Sequence, residues 1–242
     1  MNQDFVHLWG VRIDNLTMED AVEGALTGGR GGFVVTPNAV MLDACRKNPA
    51  HAALLNRATL SLADGAGVML CAKRSGQPLR ERIAGIAFGE ALMKRAAEEG
   101  LRVFLLGGGE GIAEAAAERL SQKYAGLRIA GCCWGYFEKQ GEEDRRVTEI
   151  IRASRPDILF VCFGFPLQEE WIDAHRHLLP DLRVIAGLGG ALDVWSGRLR
   201  RAPRIISHCG MEWAWRMLRE PKRLKNLPAI LRCLSWHPSS PS

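Results

Sequence analysis

Short, continuously apolar runs alternate with helical patterns along this chain. FVVT (33–36) precedes AVMLDACRKN, TLSLA (59–63) precedes GVMLCAKRSG, and RVFLL (102–106) precedes GIAEAAAERLSQKY. LRIAGCC (127–133), DILFVCFG (157–164) and LRVIAG (182–187) follow, mostly separated by helical stretches. Runs that are apolar throughout, rather than at every second position, suit parallel strands covered on both faces. Strand–helix repetition of this kind predicts an α/β fold, a Rossmann-like and mostly parallel sheet flanked by helices. In such sheets a ligand sits beyond the carboxyl ends of the strands.

The pattern changes after Gly197. Met211, Ala214, Trp215 and Leu218 share one helical face, with Arg216, Arg219 and Arg223 on a second if the helix continues past Pro221. Leu224, Leu227, Leu231 and Leu234 form a further apolar row, with Lys222, Lys225 and Arg232 on other faces. The expected organisation is an α/β catalytic domain over 1–197 and a basic, amphipathic helical appendage over 198–242. An interfacial segment and an ordinary surface helix fit this pattern equally well.

Charge sharpens the division. From Arg198 onward ten Lys/Arg face two acids, so the tail carries +8 while the preceding residues sum to −3. Three of the seven tryptophans, Trp213, Trp215 and Trp236, lie in the same stretch. Such a tail wants an anionic partner, either a phospholipid surface or a nucleic acid. With 47% apolar residues, the 242-residue chain can bury a substantial core. The polar start MNQDFVHLWG predicts no signal peptide, and no run approaches the ~20 apolar residues of a spanning helix. Seven scattered cysteines without CxxC spacing predict reduced, buried thiols in a cytoplasmic protein. His175 and His177 are two apart, which is not the spacing of a helical zinc site, so no metal is expected.

Several strand ends carry chemistry, and each has a second, structural reading. Thr36 and Asn38 suit a sugar or ribose, but Thr36 could equally cap a helix opened by Pro37. Asp64 follows a strand, and Gly65 and Gly67 let a ligand approach closely. Its carboxylate could accept a proton from an attacking hydroxyl, or cap the helix starting near Gly67. Gly107 and Gly108 open a glycine run before a helix, a place for phosphate or simply a tight turn. Gln168 can bond a sugar hydroxyl or merely begin a helix. Glu169 and Glu170 read as helix-start acids placed for the dipole.

The segments TPNAVML, LADGAGV, ERIAG, FLLGGGEG, FVCFGFPLQEEWI, GLGGALDVWSGRLRRAP and MEWAWRMLREPKRLKN occur in this order. Together they resemble the WecG/TagA/CpsF family of glycosyltransferases, from about Val11 to about Asn226, and look closest to its TagA-like branch. The resemblance implies an inverting transfer of N-acetylmannosamine from UDP-ManNAc to undecaprenyl-diphosphate-linked GlcNAc. The product would be a β-linkage of wall teichoic acid synthesis, made without metal or cofactor. It implies Asp64 as the base, with Thr36, Gln168, Asn38 and Arg82 at the sugars and Asp193 at the nucleoside. Arg216, Arg219 and Arg223 match the family's C-terminal arginines and would grip the acceptor diphosphate. Many members carry Arg near the position of Asn226. The remaining stretch, Lys222 to Trp236, would rest on anionic lipid at the inner face of the cell membrane. Self-association is expected where no membrane covers the apolar face.

Two other classes fit less well. A nicotinamide-dependent oxidoreductase would need a third fingerprint glycine where Ile112 stands and an acid after the next strand. A nucleic-acid-binding module suits the tail but not the acidic body, so no nucleic-acid partner is expected.

Overall fold

The computed structural model describes residues 4–203, 206 and 211–236, with the Arg216 side chain outside the described set. Six strands form one parallel sheet: β3 (Gly32–Val35), β4 (Leu60–Ser61), β5 (Arg102–Gly107), β6 (Arg128–Cys133), β7 (Ile158–Cys162) and β8 (Val184–Gly187). Their order across the sheet is β4-β3-β8-β7-β5-β6. The six apolar runs become these six strands, and their side chains alternate between two cores. Phe33, Val35, Phe104, Leu106, Leu159 and Val161 face one core. Val34, Val103, Leu105, Ile158, Phe160 and Ala186 face the other.

The first core is covered by α2 (Ala39–Lys47), α3 (Pro49–Leu55), α4 (Ala66–Arg74), α7 (Gly141–Ser154) and α8 (Leu167–His175). The second is covered by α1 (Met18–Thr27), α5 (Gly85–Glu99), α6 (Ile112–Lys123) and α9 (Ala191–Trp195). Chain leaving β3 therefore passes to one face while chain leaving adjacent β8 passes to the other. That divergence opens the crevice in which doubly wound sheets hold ligands.

An antiparallel hairpin precedes the sheet: β1 (Phe5–Leu8) pairs with β2 (Val11–Asp14). Trp9 (φ 48°) and Gly10 (φ 79°) make the two-residue turn, whose positive φ values match the strand twist. Val6, Leu8, Val11 and Ile13 are buried in the first core. The polar reading of the N-terminal stretch misses this element, because its strands are only four residues long.

The tail departs from the expected arrangement. One helix, Glu212–Arg219, stops before Pro221; a 3-10 turn, Pro221–Asn226, leads to a terminal helix, Leu227–Ser235. The terminal helix packs on α2 and α4, and its buried residues are Ala229, Ile230 and Cys233. Leu224 and Leu231, expected on the packed or lipid-covered row, are exposed. Small side chains explain the choice of face, since they let the backbone come close. A Cβ on Gly67 would lie 3.2 Å from Cys233 Sγ, and Cys233 Sγ is 3.1 Å from Cys71 Sγ.

Charge closes the same joint. Arg232 donates to Asp43 through Nε (2.8 Å) and Nη2 (2.6 Å), and Lys47 Nζ stands 2.7 Å from Asp43 Oδ2. Asp43 is buried, and its hydrogen bond from Arg232 holds its pKa far below the usual carboxylate range. Arg74 donates to the carbonyls of Leu234 and Trp236, and Trp236 meets Trp9 edge to face at 5.9 Å. Arg232 and Trp236 are thus engaged with the body, which corrects their expected place on lipid. The described cysteines are free thiols; Cys45, Cys71, Cys162 and Cys233 are buried, Cys132 and Cys133 half-buried, and Cys209 lies outside the described residues.

Candidate active site

Two cavities open at the carboxyl ends of the strands. The first, about 150 Å³, lies between the body and the tail. Its body wall carries Asn38, Asp64, Gly65, Gly67 and Arg82; its tail wall carries Trp213, Met217, Arg223, Asn226 and Ile230. The second, about 690 Å³, is lined by Gly108 and Gly109 after β5 and Tyr136 and Lys139 after β6. Gly164 after β7, and Gly189, Gly190 and Asp193 after β8, complete it. Arg223 lines both.

Local backbone chemistry places Asp64. Its N–H donates to Pro37 O at 3.0 Å, tying the end of β4 to the loop after β3. Helix α4 takes Gly65 as its N-cap at φ 96°, a conformation that side chains disfavour. Asp64 is therefore not the cap; it stands one residue outside it, in the cavity wall. The capping role falls on Asn38 instead of Thr36. Asn38 Oδ1 accepts from Val40 N (3.0 Å) and Met41 N (3.2 Å), opening α2. With Oδ1 committed, the amide nitrogen is the end of Asn38 suited to a ligand.

Thr36 and Gln168 stand behind the cavities. Thr36 is buried; its hydroxyl donates to Gly187 O at 3.4 Å, and a Cβ on Gly85 would come within 3.0 Å of it. Gln168 is 3% exposed, and Oε1 accepts from the N–H groups of Gly164 (3.2 Å) and Gly189 (2.9 Å). Its Nε2 donates to Glu169 Oε1 at 2.8 Å. Neither side chain lines either of these two cavities, so both shape the strand ends from within. Gly107 has the same character: a Cβ there would fall 2.5 Å from Cys162 O. Gly108, next to it, does line the larger cavity.

In that cavity Asp193 has its pKa raised by burial, opposed by Arg198 at 3.8 Å and reinforced by Glu220. Arg223 Nε pairs with Glu220 Oε1 at 2.9 Å. Lys139 Nζ donates to Gly135 O (2.6 Å) and Phe137 O (2.8 Å), closing the loop after β6, and burial lowers its pKa. Arg219 is exposed over Trp215 at 4.9 Å and lines a smaller recess instead of the Asp64 cavity. The Arg216 side chain lies outside the described residues. Among the described residues no cluster of three His, Cys, Asp or Glu could hold a metal.

Lys139 and Ile230 lie outside the sequence motifs, and Trp213 and Met217 lie inside the last of them without a role assigned to them there, because their place in the cavity wall depends on tertiary approach. Glu169 was legible only as a helix-start acid. It does stand in the first turn of α8, but it is fully buried, burial lifts its pKa to about 7, and Oε2 has no hydrogen-bond partner.

An acid and an arginine share one cavity at the strand ends, and a second arginine joins it to a glycine-lined cavity, an arrangement suited to a phosphorylated ligand. The chain belongs to the Glycosyl transferase WecG/TagA/CpsF family, whose profile matches residues 6–238. A protein of Bacillus spizizenii is 37% identical over 201 residues, covering 83% of this chain and 76% of the relative. Proteins of Staphylococcus aureus strains MW2 and MRSA252 are 36% identical over 230 residues, covering 93% of this chain and 89% of each relative. All three are named N-acetylglucosaminyldiphosphoundecaprenol N-acetyl-beta-D-mannosaminyltransferase.

Proposed function

We propose that this protein transfers N-acetylmannosamine from UDP-ManNAc to GlcNAc-diphosphoundecaprenol, with inversion, as a step of wall teichoic acid linkage synthesis. The observation that carries the reading is the meeting of Asp64, Asn38 and Arg82 in one cavity, joined to the glycine-lined cavity by Arg223. The names of the relatives supply the sugars.

On this reading the nucleotide lies in the larger cavity, against Gly108 and Asp193. The diphosphate crosses at Arg223, and the donor sugar enters the Asp64 cavity. Asp64 accepts the proton of the acceptor hydroxyl as that oxygen attacks the anomeric carbon and the bond to UDP breaks. One displacement gives inversion with a single base, a group typically worth ~10²–10⁴-fold in rate. Charge developing on the departing diphosphate is met by Arg223 and Arg82, without metal. Thr36 and Gln168 act by holding the strand-end loops in place.

No described helix is long and apolar enough to cross a membrane. Met211, Leu218, Leu224 and Leu231 are nonetheless exposed on the tail, with Lys222 and Lys225 exposed beside them. Apolar side chains flanked by cations suit the surface of an anionic bilayer. We assign this surface to the inner face of the membrane that carries the acceptor, and to self-association where no membrane is present. Replacing Asp64 with Asn tests the mechanism: turnover should be lost while UDP-sugar binding persists. Normal turnover by that variant would sink the base assignment.

A further inference from the structure

The loops that leave β7 and β8 both line the larger cavity, through Gly164 and through Gly189 and Gly190. Both lie beyond the paired strands, since β7 ends at Cys162 and β8 at Gly187. One side chain spans the gap: Gln168 Oε1 accepts the N–H of Gly164 and that of Gly189. The network is packed tightly on β8. A Cβ on Gly187 would lie 2.8 Å from Gln168 Nε2 and 3.3 Å from Glu169 Oε1.

A buried amide can sit in two orientations that occupy the same space. Only one offers its oxygen to the two backbone donors. In the other, the amide N–H groups would face those donors, and the amide oxygen would face the Glu169 carboxyl. Glu169 Oε1 selects the first orientation by accepting from Gln168 Nε2 at 2.8 Å. A buried carboxyl with an orphaned Oε2 is costly to keep, and setting that orientation gives it a task. Ionised, or protonated on Oε2, it still presents Oε1 as an acceptor.

We propose that Glu169 is a positioning residue for the donor. Acting through Gln168, it fixes the spacing of the loops after β7 and β8, and so the shape of the cavity that receives the nucleotide diphosphate. This rests on the donor site proposed above.

The test is steady-state kinetics with UDP-ManNAc and a GlcNAc-diphosphate lipid, varying each substrate in turn. Glu169→Leu removes the acceptor atom at similar volume. It should raise the donor KM by about tenfold or more, the effect of losing one to two hydrogen bonds. The acceptor KM and the kcat at saturating donor should change little. Glu169→Gln retains an acceptor oxygen and should restore a near-normal donor KM. Asp193→Asn, in the cavity wall itself, checks the donor site separately.

If Asp193→Asn raises the donor KM and Glu169→Leu does not, the positioning role is overturned and the donor site stands. If neither does, the donor site falls and takes this inference with it. Equal damage to kcat and both KM values in Glu169→Leu would mark a general packing role and overturn the proposal. Should Glu169→Leu fail to fold, Glu169→Gln decides: a donor KM raised tenfold despite the retained acceptor contradicts it, and a near-normal one supports it.

Discussion

The two walls of the Asp64 cavity are built differently. The body wall stands on strand ends, with Asp64 tied to Pro37 O and Asn38 locked as the cap of α2. The tail wall comes from two helices and a 3-10 turn, held by Arg232 on Asp43 and by small residues packed on α4. The body wall offers the acid Asp64, the Arg82 guanidinium and the Asn38 amide. The tail wall offers mostly apolar side chains, with Glu212, Arg223 and Asn226 among them. Reacting groups need fixed geometry, which sheet ends supply.

Asp64→Asn strikes the body wall and should give the largest effect, a loss of ~10²–10⁴ in kcat with donor binding retained, read by UDP release and by titration. Arg223→Ala strikes the tail wall where the two cavities meet. It should lower kcat by about 10²-fold, as for other preorganised transition-state donors, with the tail still docked by limited proteolysis. An Arg223→Ala loss confined to the acceptor KM would return this arginine to the acceptor diphosphate. Gly67→Ala presses the joint itself. It should cost about 1–3 kcal/mol of stability by overpacking against Cys233 and Ala39, and speed proteolysis of the tail. Arg219→Ala should leave turnover within about twofold, because its side chain is exposed outside the cavity.

Two buried carboxyls, Asp43 at the tail joint and Glu169 behind the larger cavity, should also respond oppositely to pH. The folded pKa of Asp43 is depressed, first by its hydrogen bond from Arg232. Its contribution is present above the ordinary carboxylate pKa and is lost as pH falls. The folded pKa of Glu169 is raised from 4.5 to about 7, chiefly by burial and further by Glu170, against the Gln168 amide. Stability from this group is highest below about 4.5 and declines by roughly 3 kcal/mol as pH rises to about 7. Denaturant titrations across pH should show Asp43→Asn flattening the acid limb and Glu169→Gln flattening the neutral one. An unchanged neutral limb in Glu169→Gln would contradict the raised pKa.

The body was legible for a physical reason. Strands buried on both faces must be apolar throughout, so each run marked a strand and each run's end marked a loop with exposed chemistry. Asp64, Asn38 and Gly108 lie at such ends, and all three line one of the two cavities. Tertiary approach hid the rest. Thr36 and Gln168 carry the right chemistry, but whether such groups face a cavity or a neighbouring loop depends on packing across β3, β7 and β8. In the terminal helix, leucine spacing pointed to one face, whereas Ala229 and Cys233 allowed closer contact on another. Glu169 obeyed the rule for helix starts and still lay at zero exposure, because its side chain packs against β8, where a Cβ on Gly187 would lie 3.3 Å from its Oε1.

The most direct test of the proposed reaction is a panel of UDP-sugars with a GlcNAc-diphosphate lipid, read by UDP release and product mass. The account predicts that UDP-ManNAc alone of the epimeric N-acetylhexosamine donors gives rapid, acceptor-dependent UDP release and a lipid product longer by one β-linked sugar. Equal or faster transfer from UDP-GlcNAc, or release of UDP without a lengthened lipid, would contradict it.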